Sequence, residues 1–159
     1  MLDKMDERPV PEVRPVTGLV RRILQLTERA DFEMADALGL GRSDFNAMSH
    51  LMGDETMGPS EIAHRLHITT SSATVLVDRL ESMGHVVRLP DPGDRRRLVV
   101  QPTPAAAEAA WAVVMPLIMA VDAALEDTSE DDQRVIAGYL ERVVAAYEKY
   151  LSDLDAHQR

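Results

Sequence analysis

The chain contains no cysteine in its 159 residues. Disulfides, cysteine-ligated zinc and thiol-based redox sensing are therefore excluded on chemistry. Ser, His, Asp and Glu are all present, yet none sits in a nucleophile elbow, phosphate loop, metalloprotease helix or paired-carboxylate setting. No catalytic residue, cofactor or metal is expected. A long apolar run is also lacking: the longest uncharged one, residues 109–121, spans 13 residues between Glu108 and Asp122, against the roughly 20 needed to cross a bilayer. The opening MLDKMDERPVPE is charged and proline-rich without an apolar centre, so residues 1–14 read as a flexible arm rather than a signal peptide or anchor. The expected location is the cytoplasm, with no membrane partner.

Positive charge is in short supply as well, with 17 Lys and Arg against 27 Asp and Glu and a formal net charge of −10. Such a balance should repel a polyanion. The distribution of charge answers this in part. Residues 60–103 hold six arginines against five acids, a surplus of one, whereas the other segments hold 11 basic and 22 acidic residues. The acid is concentrated elsewhere, and a Debye length of about 8 Å screens it from that segment. The 45% apolar content suffices for the core of one compact protomer.

Within that segment, HVVRLPDPGDRRRLVVQ over residues 85–101 places two β-rich runs around a turn. Val86, Val87 and Leu89 on one side, and Leu98, Val99 and Val100 on the other, favour a pleated surface; Pro90, Asp91, Pro92 and Gly93 break both strands. The expected hairpin carries Arg95, Arg96 and Arg97 at or just past its tip. An exposed guanidinium on a thin β-loop suits the minor groove of DNA while its neighbours meet phosphates. A solvated loop with a charge run accounts equally well for the hairpin alone.

The residues before the hairpin favour the first reading. Gly58-Pro59 followed by SEIAHRL puts proline at a first helical position, with Ile62, Ala63 and Leu66 as an apolar stripe. A break at residues 67–69 follows, and residues 70–83 read as a second helix, opened by a Thr/Ser cluster and closed by Gly84. Its buried side is Ala73, Leu76, Val77, Leu80 and Met83, leaving Ser71, Ser72, Thr74, Val75 and Asp78 outside. Helix, turn, helix, hairpin is the order of a winged helix-turn-helix, whose second helix lies in the major groove.

The run VDRLESMGHVVRLPDPGDRRRLVVQPT resembles the signature of the MarR (multiple antibiotic resistance regulator) family of bacterial transcription factors. In that family V-D-R-L-E-x-x-G leads into D-P-x-D-R-R and a hydrophobic second strand. The resemblance covers residues 60–103, and the remaining helices match the family's order and lengths. It implies a mainly α (α+β) fold: a winged helix-turn-helix domain with a two-stranded wing, plus N- and C-terminal helices that form a dimerisation region. The expected division is a winged domain over residues 57–102 and a dimerisation region over residues 15–56 and 103–159. The implied function is a homodimeric regulator on double-stranded DNA with a pseudo-palindromic operator, most commonly a repressor released by a small-molecule effector. The family's D-x-R wing pair falls on Asp94 and Arg96. Arg96 is then the minor-groove residue, with Asp94 bracing the wing against Arg79. The expected DNA-binding set is Ser71, Ser72, Thr74, Val75, Arg79, Asp94, Arg95, Arg96 and Arg97. The lack of cysteine excludes the family's peroxide-sensing branch.

Two departures stand out. Pro102 occupies a position where the family usually has leucine, and its missing N–H is expected to shorten the second strand without abolishing the wing. The outer face of residues 71–78 has no Arg, Lys, Asn or Gln, so bidentate base contacts are absent from it. Specificity then rests on hydroxyls, on methyl contacts from Thr74 and Val75, and on DNA shape.

The outer helices supply the dimer. Residues 16–38 carry Leu19, Ile23, Leu26, Ala30, Met34 and Leu38 at helical spacing. A second helix, from about Ser43, buries Phe45, Met48, Leu51 and Met52. Thr103 and Pro104 open a third that runs to about Leu125 with an expected kink at Pro116. Ser129 caps the last, whose stripe of Val135, Ile136, Tyr139, Leu140, Val143, Val144, Tyr147, Leu151 and Leu154 is too long for one small protomer to cover. The resemblance implies an effector pocket where the first, second and fifth helices meet the winged domain. Methionines 48, 52, 57, 115 and 119 suit such a pocket, though methionine at helical spacing is more often plain core. His64 and His67, with His50 nearby, leave a metal-responsive regulator as one alternative. A winged-helix module that binds protein is the other, and it would have no need of Arg96.

Overall fold

The computed structural model describes residues 13–53, 57–91, 93–94 and 96–157. In order it contains α1 (Pro15–Ala37), α2 (Arg42–Leu51), α3 (Pro59–Arg65), α4 (Thr70–Ser82), β1 (Val86–Pro90), β2 (Leu98–Pro102), α5 (Pro104–Ala123) and α6 (Glu130–His157). The chain divides into two compact units, one up to Val114 and one from Met115. The fold is mainly helical with one two-stranded antiparallel sheet, a winged helix-turn-helix.

In the first unit, α2, α3, α4 and the hairpin enclose a core in which Met57, Ile62, Val77, Leu80, Val86 and Val100 are nearly inaccessible. Ala73, Leu76, Val77 and Leu80 form the buried stripe of α4, at the spacing expected. Met83 departs from it. It lies past the last helical residue as the C-cap and is 45% exposed. Phe45, Met48 and Leu51 are buried on α2, while Met52 is only half-buried.

The helix ends share one device. At Gly84 (φ 78°) the N–H donates to Glu81 O at 2.9 Å, and the His85 N–H donates to Leu80 O at 2.9 Å. This paired closure needs a left-handed residue, which glycine adopts without a Cβ clash. The end of α3 closes identically, with Ile68 N–H on Ala63 O at 3.0 Å and His67 N–H on His64 O at 3.2 Å. Here the left-handed residue is His67 itself, at φ 52°. That closure turns the chain sharply from α3 into Thr69, whose hydroxyl accepts the Ser72 N–H at 3.2 Å and caps α4.

The hairpin pairs Val86 with Pro102, Val87 with Gln101, Arg88 with Val100, Leu89 with Val99 and Pro90 with Leu98. Strand β2 is not shortened at Pro102. The Thr103 N–H donates to His85 O and the Asp91 N–H to Arg97 O, both at 2.9 Å, just beyond the two ends of the ladder. Bonded and non-bonded pairs alternate, so Pro102 and Pro90 both fall at non-bonded positions where no inter-strand N–H is required. The outer edge of β2 is partly covered: Val100 N–H donates to Met57 O at 2.8 Å, in an isolated bridge before α3. Sequence patterning gave no sign of that third segment, because a single bridged residue has no periodicity.

Helix α5 begins at a threonine cap, with the Ala106 N–H donating to Thr103 Oγ1 at 3.2 Å. That hydroxyl also donates to Gly84 O at 2.9 Å, tying the start of α5 to the end of α4. Ala106 and Ala110 are buried. The helix continues through Pro116 to Ala123. At 20 residues and mean hydropathy 1.6, it is long and apolar enough to cross a membrane by length and composition. It exceeds the 13-residue uncharged run read from the sequence because helix formation does not stop at Glu108 or Asp122.

In the second unit, Ser129 Oγ accepts the Asp132 N–H at 3.2 Å and opens α6. No residue of α6 is buried.

Candidate nucleic-acid interface

Ser71, Ser72, Thr74 and Val75 are all exposed on α4, Val75 at 62%. The Thr69, Ser71 and Ser72 hydroxyls cluster at the start of the helix, with oxygens 2.8 and 3.0 Å from Thr69 Oγ1. The Thr74 hydroxyl donates back to Thr70 O at 2.9 Å. Its remaining capacity is as an acceptor, with its methyl free for apolar contact.

Ser71, Ser72, Val75 and Arg79 lie at three- and four-residue spacing along one side of α4. Together with Ser43 and Asn46 of α2 they line an open cavity of about 460 Å³. The Arg79 guanidinium is held at its edge by Asp44 of α2. Nε donates to Oδ2 at 3.0 Å and Oδ1 at 3.1 Å, and Nη2 donates to Oδ1 at 2.5 Å. The Asp44 side chain is 7% exposed and that of Arg79 is 49%. The Asp44 hydrogen bond, followed by its charge, raises Arg79 above the ordinary arginine value. A cation whose folded value is raised keeps its favourable contribution at every pH below the unfolded value. Arg79 therefore stays charged throughout the accessible range.

This pairing corrects one expectation: Asp94 does not brace the wing against Arg79. Its carboxylate turns into its own loop, where Oδ1 accepts the Arg96 N–H at 3.0 Å. Asp91 does the same one step earlier, its Oδ1 accepting the Gly93 N–H at 2.7 Å and the Asp94 N–H at 3.3 Å. The tip closes with Arg97 N–H on Asp94 O at 2.8 Å. Two aspartates thus order the turn from inside, and Arg96 and Arg97 are exposed on it. Arg95 lies outside the described residues.

Two further residues escaped the sequence reading. Asp44 carries the buried half of the Arg79 pair, and its only sequence signal is an acid on the apolar side of α2 beside Phe45, Ala47 and Met48. Arg88 of β1 donates to Asp78 at 2.5 Å and also to Glu81, bridging the wing to both acids of α4. One guanidinium shared between two carboxylates thereby offsets half of the negative charge on the outer side of α4. His50, His64 and His67 do not converge: among the described residues there is no group of three or more His, Cys, Asp or Glu that could hold a metal ion.

A second cavity of about 330 Å³ lies within the first unit, where the end of α1 (Leu38, followed by Leu40), Met48 of α2, Met83 and His85 after α4, and the start of α5 meet. Alanines 105, 106, 109 and 110 line the α5 side. Of the methionines considered for a pocket, Met48 lines this cavity and Met57 is buried in the core; Met115 and Met119 are exposed.

Comparison with known proteins matches residues 38–97 to the MarR family. The chain is 31% identical over 120 residues to the uncharacterized HTH-type transcriptional regulator YcgE of Bacillus subtilis (strain 168), covering 76% of this chain and 78% of that one. Among solved structures it is similar to a MarR family protein from Bacillus stearothermophilus, with TM-score 0.66 and 19% identity over 84% of this chain and 93% of that one. It is also similar to a mutant MepR of S. aureus bound to an oligodeoxyribonucleotide, with TM-score 0.55 and 16% identity over 85% of this chain and 99% of that one. The matched segment contains the helix-turn-helix and the aspartate-ordered wing tip, and the chain belongs to the MarR family of DNA-binding transcriptional regulators rather than to any enzyme class.

Proposed function

We propose that this regulator acts as a homodimer on a pseudo-palindromic operator, with α4 in the major groove and the wing in the minor groove. Ser71, Ser72, Thr74 and Val75 meet base edges and thymine methyls, Arg79 approaches the backbone, and Arg96 enters the minor groove beside Arg97. Asp94 supports the wing by holding the Arg96 backbone. The observation that carries this reading is the wing tip, where Asp91 and Asp94 organise the loop and leave Arg96 exposed. Residues 57–102 then form the DNA-binding part, and residues 15–56 and 103–159 the dimerisation part.

Dimerisation is supported by apolar surface that the protomer leaves uncovered: Leu19 and Ile23 on α1, and Val135, Val144 and Leu151 on α6, are all more than half exposed. The apolar α5 serves the same association and does not span a membrane, since its first half contributes Ala106 to the core of the winged unit. A two-fold dimer sets its recognition helices about 34 Å apart, one turn of DNA. The cavity lined by Leu38, Met48 and His85 receives a small-molecule effector, which releases the operator by the difference in its affinity for the two dimer states. Repression is the proposed outcome and the cytoplasm the proposed location.

The test is a mobility-shift or anisotropy titration of the full-length protein with a duplex covering the region upstream of its own gene. Binding falls steeply with added salt, and Arg96→Ala weakens it by roughly 1 to 3 kcal/mol. An Arg96→Ala protein that binds as tightly as the parent rejects the wing assignment.

A further inference from the structure

We propose that Asp44 is a positioning residue for DNA recognition: from the supporting helix α2 it converts Arg79 from a mobile charge into a fixed, nearly charge-compensated hydrogen-bond donor on the face of α4. The inference rests on the reading of α4 as the groove-facing helix.

The geometry carries it. A guanidinium offers five N–H donors in a rigid plane. Asp44 takes the edge formed by Nε and Nη2, which points the opposite, Nη1 side of the plane away from the carboxylate. The donors on that side have no partner among the described residues. They belong to a side chain that is half-exposed and shares a cavity with Ser71, Ser72 and Val75. The carboxylate is buried and makes no other hydrogen bond to a described residue.

A free arginine near DNA binds any phosphate it can reach, and each such contact releases a counterion. An arginine locked against a buried carboxylate adds little net charge, so it gains little from phosphates at arbitrary positions. It still donates a well-directed hydrogen bond to an oxygen at one position, and phosphate contacts of fixed direction set register. On a helix face with no other side chain able to make two directed bonds to a base, a fixed Arg79 makes affinity depend on local DNA shape more than on charge.

The experiment compares the parent, Asp44→Asn, Arg79→Gln and the double variant. Each is titrated across a salt series against a duplex carrying the upstream region of its own gene and against a random-sequence duplex of equal length. Asp44→Asn frees a full positive charge. The slope of log affinity against log salt should steepen by about 0.9 per protomer, random-sequence binding should tighten about threefold at low salt, and discrimination between the two duplexes should fall. In the Arg79→Gln background the same Asp44 substitution leaves no cation to free, so the slope should not steepen. The double variant, which replaces one neutral pair by another, should keep the parent slope while losing affinity for the upstream duplex.

An unchanged slope in Asp44→Asn, or an equal effect of Asp44→Asn in both backgrounds, overturns the proposal. Should Asp44→Asn fail to fold by far-UV circular dichroism, the double variant decides: a slope lowered by about 0.9 per protomer means Arg79 acts as an ordinary phosphate contact. Arg96→Ala separates the two levels of argument. If it leaves binding intact, the winged reading itself fails. If it weakens binding and the Asp44 variants behave like the parent, only the role of Asp44 falls.

Discussion

His67 ends α3 in the left-handed conformation that Gly84 adopts after α4, and the two sites respond oppositely to substitution. At Gly84 any Cβ meets the strain of a positive φ, so Gly84→Val should lower stability by about 1 to 2 kcal/mol. At His67 the strain is already present, so His67→Asn should hold or raise stability by up to about 1 kcal/mol, whereas His67→Val should lower it. Thermal unfolding of the three variants checks both statements, and a destabilised His67→Asn would deny the backbone argument. Arg88 poses a separate residue-scale test. Its side chain is 20% exposed between Asp78 and Glu81, and both acids are themselves substantially exposed, so the direct stability loss in Arg88→Ala should be on the order of 1 kcal/mol or less. Its effect on DNA should be larger than that figure suggests, because two uncompensated carboxylates would then face the phosphates. Random-sequence affinity falling in Arg88→Ala while the fold persists by circular dichroism is the expected result.

The hairpin shows how an element can absorb a residue that breaks its pattern. Proline in a strand ordinarily costs a ladder bond, yet Pro102 lies at a non-bonded position of β2 and Val100 beside it donates outward to Met57. Pro102→Ala should therefore change stability by less than about 0.5 kcal/mol. Val100→Pro removes the Met57 bond and leaves a buried carbonyl without its donor, which should cost more than about 2 kcal/mol. Chemical denaturation of the two variants makes the comparison, and a similar loss in both would contradict the register. In the sequence the hairpin itself was legible from its β-rich runs and its Pro-Asp-Pro-Gly turn. The phase of its hydrogen bonds was not, because alternation fixes which face a side chain takes and says nothing about which N–H points inward until the strands are paired.

At the scale of the whole molecule, α6 decides more than any residue of the winged unit. Its 28 residues leave none buried, and a helix with Val144 and Leu151 each more than half exposed is expected to find a partner. Val144→Glu together with Leu151→Glu should give a monomer by sedimentation velocity. Loss of the second half-site should then weaken binding to the upstream duplex by about 100-fold or more. A double variant that stays dimeric would place the interface elsewhere. The long stripe was evident from helical spacing. Spacing identifies an apolar face without naming the surface that meets it.

The order of helices, the sharp turns between them, the wing and its arginines were determined by the sequence alone, because each rests on local rules: apolar spacing within one element, caps at its ends and turn residues between elements. Tertiary structure alone decided the pairing of Arg79 with Asp44, 35 positions away, the bridge of Arg88 to Asp78 and Glu81, and the docking of Met57 on β2. Each of these depends on where two side chains or backbones end up once separate elements have packed. Many charged residues can serve as partners in the unfolded chain, and only the packed arrangement of α2 against α4 selects one buried carboxylate for one guanidinium.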